Sequence, residues 1–287
     1  MTKTISTLAL ALPTFAALAL LAPASAQAAT LTVGANNCDY TTIQAAVNAA
    51  GTGDVIDVQP GSYGRVVISA GQDLTIEGHS QVSIDAGTAN SALKVKAGGH
   101  LLLSGVEVTG VFGPTKKAGI VNEGTLDLDT VSVWNNEAMY GGIFNIGTLT
   151  MGDNSVVSAN ASTSYFAGGL NNVGGLVDVR QSTFLGNSGW NGGAASNLGG
   201  GEMYISTTSI SANDGYLGGG IHNSVSFLYL QGAMSFSNNY ATSLGGGWSN
   251  HNFGGEVFCA PVGYAANDTG SGQDQDFYDV NGQCTPM

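Results

Sequence analysis

Between residues 118 and 250 the chain repeats one line of apolar, small and polar positions. Six clusters of small residues each close on an asparagine: AGIVN, GGIFN, AGGLNN, GGAASN, GGGIHN and GGGWSN, ending at Asn122, Asn145, Asn172, Asn197, Asn223 and Asn250. The steps are 23, 27, 25, 26 and 27 residues, and a fixed period in this range predicts a solenoid. Between clusters runs a second line, LDLDTVSVWNN, LTMGDNSVVSAN, VDVRQSTFLGN, MYISTTSISAN and LYLQGAMSFSNN, which alternates apolar with polar residues and closes on a second asparagine. Alternation predicts strands, and three short strands per unit predict the coil of a parallel β-helix. It also sorts side chains by face. Ile143, Leu170, Ala195, Ile221 and Trp248 form one inward column, and Leu128, Met151, Val179, Ile205 and Leu230 another.

The rung asparagines Asn145, Asn172, Asn197, Asn223 and Asn250 can be read as a buried amide ladder or as a binding row. A ladder lets each amide bond the next rung, as stacked identical residues do in cross-β structures. A buried amide without partners costs about 1–3 kcal/mol, so the ladder is the expected arrangement.

Ahead of the repeats, Lys3 precedes an apolar run over residues 8–22, followed by Ala24-Ser25-Ala26 and Ala26-Gln27-Ala28. This is the pattern of a secretory signal with two overlapping cleavage options. Its run of about 15 residues is shorter than the roughly 20 a spanning helix needs. The expected organisation is a signal peptide over 1–28, a β-helix with its N-terminal cap over 29–260 and a C-terminal cap or tail over 261–287. The mature protein is then expected outside the cytoplasm, extracellular or in the cell envelope, with no transmembrane segment.

Thr41-Thr42-Ile43-Gln44 offers a capping box from Thr41 to Gln44. Ile43, Ala46, Val47 and Ala50 then share one face of a short helix, which Gly51 and Gly53 stop. Such a helix would cover the open end of the stack. The stretch YTTIQAAVNAAGTGDVIDVQPGSY followed by LTIEG resembles the opening of right-handed parallel β-helix proteins of the pectate-lyase-like superfamily. The later GGGIxN rungs resemble those of secreted or surface-displayed β-helix repeat proteins. The resemblance implies the fold over nearly all of the mature chain. It implies no single activity, because the superfamily holds polysaccharide lyases, glycosidases, esterases, adhesins and proteins without a known reaction. The N-T-D, D-D, G-H-G and R-I-K set of polygalacturonase-like members is absent, as is the row of basic residues usual in pectate-lyase-like clefts.

Composition narrows the function classes. Charged residues make up 9% of the chain and the net charge is −13, with seven Lys and Arg in all, so no basic patch for nucleic acid can be assembled. Glycine contributes 44 of 287 residues, about twice the average share, which tight turns between short strands would use. Cys38 precedes the first rung and Cys259 follows the last. Roughly eight rungs at ~4.8 Å separate them, far beyond disulfide reach. Cys259 with Cys284 is therefore the expected pair, leaving Cys38 free or joined between molecules. The histidines are dispersed and no G-x-S-x-G occurs, so neither a zinc site nor a serine nucleophile is indicated.

Outward positions carry the candidate chemistry. The middle residues of the LxL strands are Asp127, Thr150, Asp178, Tyr204, Tyr229 and Phe258. Tyr204, Tyr229 and Phe258 would make a flat aromatic strip on which sugar rings could lie. A second line, Tyr140, Tyr165, Trp190, Tyr216 and Tyr240, recurs at steps of 25, 25, 26 and 24 residues. It would either serve the same purpose or pack over the turns. Asp127, Asp129, Asp153, Asp178 and Arg180 form an acidic patch with one arginine. They would be solvated surface charges, or would hold Ca²⁺ with Arg180 as the base of a β-elimination, Asp127, Asp178 and Arg180 being its catalytic set. The leading expectation is a secreted β-helix scaffold with a carbohydrate-contacting or adhesive surface, its partner a polysaccharide or cell-surface glycan. It has no resident cofactor. The alternative is a calcium-dependent polysaccharide lyase or glycosidase acting on an acidic polysaccharide.

Overall fold

The computed structural model describes residues 28–152, 154–250, 256–259, 263–265, 268–269 and 277–279. Its strands wind around one continuous apolar core as three sheets in which every pairing is parallel. A regular coil runs through Thr125–Asp129 and Ser132–Trp134, crosses Glu137–Ala138 and returns through Ile143–Asn145. The first two segments belong to one broad, bent sheet of 17 strands, the third to a narrow sheet of seven and the last to an asparagine sheet of nine. Nine strands in that sheet mean about nine coils, one more than the sequence period suggested.

Both apolar columns are in register and buried, from Ile143 to Trp248 in the asparagine sheet and from Leu128 to Leu230 in the broad sheet. Each is a stack of side chains at one strand spacing, so burying one rung requires the next.

The rung asparagines form the expected ladder. Asn122, Asn145, Asn172, Asn197 and Asn223 each donate through Nδ2 to the Oδ1 of the next, at 2.7–3.0 Å. All are fully buried. Each Nδ2 also donates to carbonyls of the following turn, as Asn197 does to Gly201 and Phe227. The second asparagine of each line builds a parallel ladder through Asn136, Asn160, Asn187, Asn213 and Asn239, with Nδ2 to Oδ1 distances of 2.9–3.0 Å. Here the same Oδ1 also accepts the backbone N–H of the preceding asparagine. Asn160, which opens a glycosylation sequon, is thus occupied inside the fold. Between the ladders the chain crosses close over the next rung. At Gly193 a Cβ would lie 2.4 Å from the Gly219 carbonyl oxygen and 2.5 Å from the Asp214 nitrogen, which explains the small-residue clusters.

The short helix spans Ile43–Ala49 and buries Ile43, Ala46 and Val47 against the first strands. Its N-cap is Thr42, whose hydroxyl accepts from the Ala45 N–H at 3.2 Å, not Thr41 as the capping box had it. Gln44 does not close the box. Its amide instead bonds Val67, accepting the N–H at 2.6 Å and donating to the carbonyl at 3.2 Å. A tertiary backbone partner thereby replaces the local one. Cys38 is a free thiol. The expected partner of Cys259, Cys284, lies outside the described residues, as do the signal segment and most of the tail.

Candidate carbohydrate-contacting surface

Alternation puts every second residue of the broad sheet outside, and parallel registry lines these positions up. Asp127, Thr150, Asp178, Tyr204, Tyr229 and Phe258 occupy one column, as expected. Tyr204 and Tyr229 stack with centroids 4.4 Å apart and planes within 4°. Phe258 continues at 4.8 Å and 10°. The rings therefore face each other along the solenoid axis and turn their edges to solvent. Both faces of Tyr229 are covered, so the row is not the flat strip the spacing suggested. Beside it a groove of ≈ 300 Å³ is lined by Asp178, Arg180, Tyr204, Ser206, Tyr229 and Gln231.

The acidic patch resolves into separate local pairs. Asp178 takes both arms of Arg180, Nε to Oδ1 at 2.9 Å and Nη2 to Oδ2. Hydrogen bonding and charge from Asp178 raise the Arg180 pKa further above its ordinary value. A proton-abstracting guanidine would have to be neutral, and this pairing opposes that. Asp127 stands two rungs away with Thr150 between, and accepts from His100 Nε2 at 2.9 Å. The other nitrogen of His100 meets Asp73 at 2.7 Å. The Asp127 hydrogen bond, opposed by burial and aided by Asp73, raises the His100 pKa above the usual imidazole value. Asp129 bonds the neighbouring Thr130 hydroxyl, and Asp153 lies outside the described residues. A calcium ion takes about 6–8 oxygen ligands. Among the described residues no three acidic, histidine or cysteine side chains are placed to share a metal, so this donor set does not fit Ca²⁺.

The second aromatic line divides. Trp190 and Tyr216 stack at 4.3 Å and 22°, and Tyr165 meets Trp190 edge to face at 5.5 Å and 82°. Tyr140 leaves this row, stacking on Phe144 at 4.2 Å with Phe166 edge-on at 4.7 Å. Tyr240 is exposed and pairs in register with Asp214, not with Tyr216. Its step of 24 residues where neighbours show 25 and 26 was the visible sign of this shift. Sequence reasoning missed His100 between its two carboxylates, although Asp73, His100 and Asp127 are spaced by 27 residues each. It also missed the cleft between Tyr165 and Trp190, because relative ring orientation leaves no mark in residue spacing.

No protein-family model and no curated protein sequence matches the chain. Solved structures do. The pectate lyase Pel9A is 15% identical with a TM-score of 0.50, over 90% of this chain and 82% of its own. A pectin methylesterase in complex with a hexasaccharide is 10% identical with a TM-score of 0.50, over 90% and 98%. The pectin methylesterase of Aspergillus niger aligns over 92% and 93% at 13% identity and a TM-score of 0.43. At such identities the likeness is one of fold. This chain has the right-handed parallel β-helix of pectate-lyase-like proteins.

Proposed function

We propose that this chain is a secreted β-helix whose outer faces hold carbohydrate without transforming it. The observation carrying this reading is that partly exposed aromatic rings touch one another rung after rung on two faces, Tyr204, Tyr229 and Phe258 on one and Tyr165, Trp190 and Tyr216 on the other. Contiguous exposed aromatic surface on a soluble protein commonly marks a binding face, and aromatic rings pair with the C–H faces of sugars while Tyr hydroxyls offer hydrogen bonds. The signal-like leader and the polysaccharide-directed names of the proteins sharing the fold support a glycan partner outside the cell. The lyase alternative has the weaker support, since its only arginine is tied to Asp178.

The test is retention of the purified protein on a panel of insoluble polysaccharides, with formation of unsaturated sugar ends followed in parallel. Binding that survives chelator, falls in Tyr165→Ala with Trp190→Ala or in Tyr204→Ala with Tyr229→Ala, and yields no unsaturated ends is expected. Chelator-sensitive product that disappears in Arg180→Ala would overturn the reading.

A further inference from the structure

The two aromatic faces differ in what they can accept. On the broad sheet the rings hide their faces in one another, and the adjoining groove carries Asp178 and Arg180. On the narrow sheet Tyr165 stands nearly perpendicular to Trp190 and is 69% exposed, with Trp190 44% exposed. Two planes at a right angle leave a re-entrant corner with open ring face. The corner belongs to a cleft of ≈ 420 Å³ lined also by Ser162, Thr163, Ser164 and Ser188, within the roughly 300–1,000 Å³ of small-molecule sites. Ser162 spends its hydroxyl on the Met139 carbonyl at 2.9 Å. Those of Thr163, Ser164 and Ser188 make no hydrogen bond among the described residues. They are free to serve a ligand as donors or acceptors.

The charge around the cleft selects the ligand. None of its lining side chains is ionisable below the phenol range. The seven strands of the narrow sheet carry no lysine or arginine, and their charged residues, Glu137, Asp214 and Asp268, are all acidic. Asp214 is the register neighbour of Ser188, one strand away. A uronate seated in the cleft would meet this carboxylate with no cation to balance either charge. An uncharged pyranose meets two aromatic rings and three open hydroxyls.

Resting on the carbohydrate reading above, we infer that the Tyr165–Trp190 cleft is a subsite for a neutral pyranose residue of a glycan, separate from the Tyr204 row. Trp190 supplies a readout, because Trp248 is fully buried and Trp134 is held by its indole N–H on Glu107. The intact protein is titrated with cellohexaose, xylohexaose and laminarihexaose, and with hexagalacturonate, following tryptophan fluorescence and calorimetry. At least one neutral hexasaccharide should bind and change the fluorescence. Tyr165→Ala should weaken that binding at least tenfold while leaving the unfolding midpoint unchanged, and Tyr229→Ala should leave the affinity unchanged. Neutral binding that survives both Tyr165→Ala and Trp190→Ala, or binding of hexagalacturonate alone, would overturn this subsite and leave the carbohydrate reading standing. Binding of none of the four would overturn both.

Discussion

Tyr204 and Tyr229, separated by 25 positions in sequence, stack 4.4 Å apart and within 4° of parallel. Phe258 covers the far face of Tyr229, so Tyr229 has two ring neighbours where Tyr204 has one. Aromatic pairs of this kind contribute about 0.5–1.5 kcal/mol each beyond their buried area. Tyr229→Ala should therefore lower the unfolding free energy by about 1 kcal/mol more than Tyr204→Ala, measured by urea denaturation. Equal losses would show that the stack is not maintained in solution.

Much of the fold was legible because a solenoid converts sequence period directly into contact. Ile221 and Trp248 lie one rung apart and in register, and counting residues sufficed to place them together. The asparagine ladder was legible for the same reason, since burial leaves an amide few alternatives to its own copy one rung away. What spacing did not reveal was side-chain torsion. The perpendicular meeting of Tyr165 with Trp190 and the parallel one of Trp190 with Tyr216 arise from equal steps. Gln44 was misassigned because its partner Val67 is 23 residues away, outside any local capping pattern. The acidic patch was drawn from column position alone, before Arg180 and His100 were seen to claim its two main members.

The ladder makes a stability prediction. Asn197→Leu removes donors to Asn223 Oδ1, Gly201 O and Phe227 O and the acceptor of Asn172 Nδ2, all inside the fold. Stranding several buried polar groups, at about 1–3 kcal/mol each, should cost on the order of 3–5 kcal/mol. Asn122→Leu should cost less, because the preceding position in register is the apolar Val95 and no amide above is left without its acceptor. A loss below 1 kcal/mol at Asn197 would contradict the buried network.

Backbone conformation makes an opposite kind of prediction. Thr207 sits at φ 50°, while the corresponding bend of the next rung uses Gly232 at φ 69°. A β-branched residue is strained there, by roughly 1 kcal/mol or more. Glycine removes that strain at a chain-entropy cost of about 0.5–1 kcal/mol, so Thr207→Gly should be neutral to slightly stabilising. Gly193→Ala, by contrast, forces a Cβ to within 2.4 Å of the Gly219 carbonyl oxygen and should cost at least about 3 kcal/mol. Thermal unfolding of the two variants side by side checks both signs.

His100 gives the fold a pH dependence whose direction is fixed by its neighbours. It lies between Asp73 and Asp127 at 2.7 and 2.9 Å, and its pKa is raised in the folded protein from a model value of 6.5. A raised folded-state pKa means that the folded state binds the proton more tightly than the unfolded one. The stabilisation is then complete below pH 6.5 and is lost as pH rises through the folded value. Since the three side chains are partly exposed, salt should weaken the effect. His100→Gln keeps a hydrogen-bonding group but cannot carry the charge. At low ionic strength the wild type should therefore lose more stability than the variant between about pH 5.5 and about pH 8.5, a window spanning the ordinary imidazole range. The difference between the two proteins removes the contribution of other titrating groups, including His79 on Asp57. Parallel pH profiles for wild type and variant would show that the proton on His100 is not linked to folding.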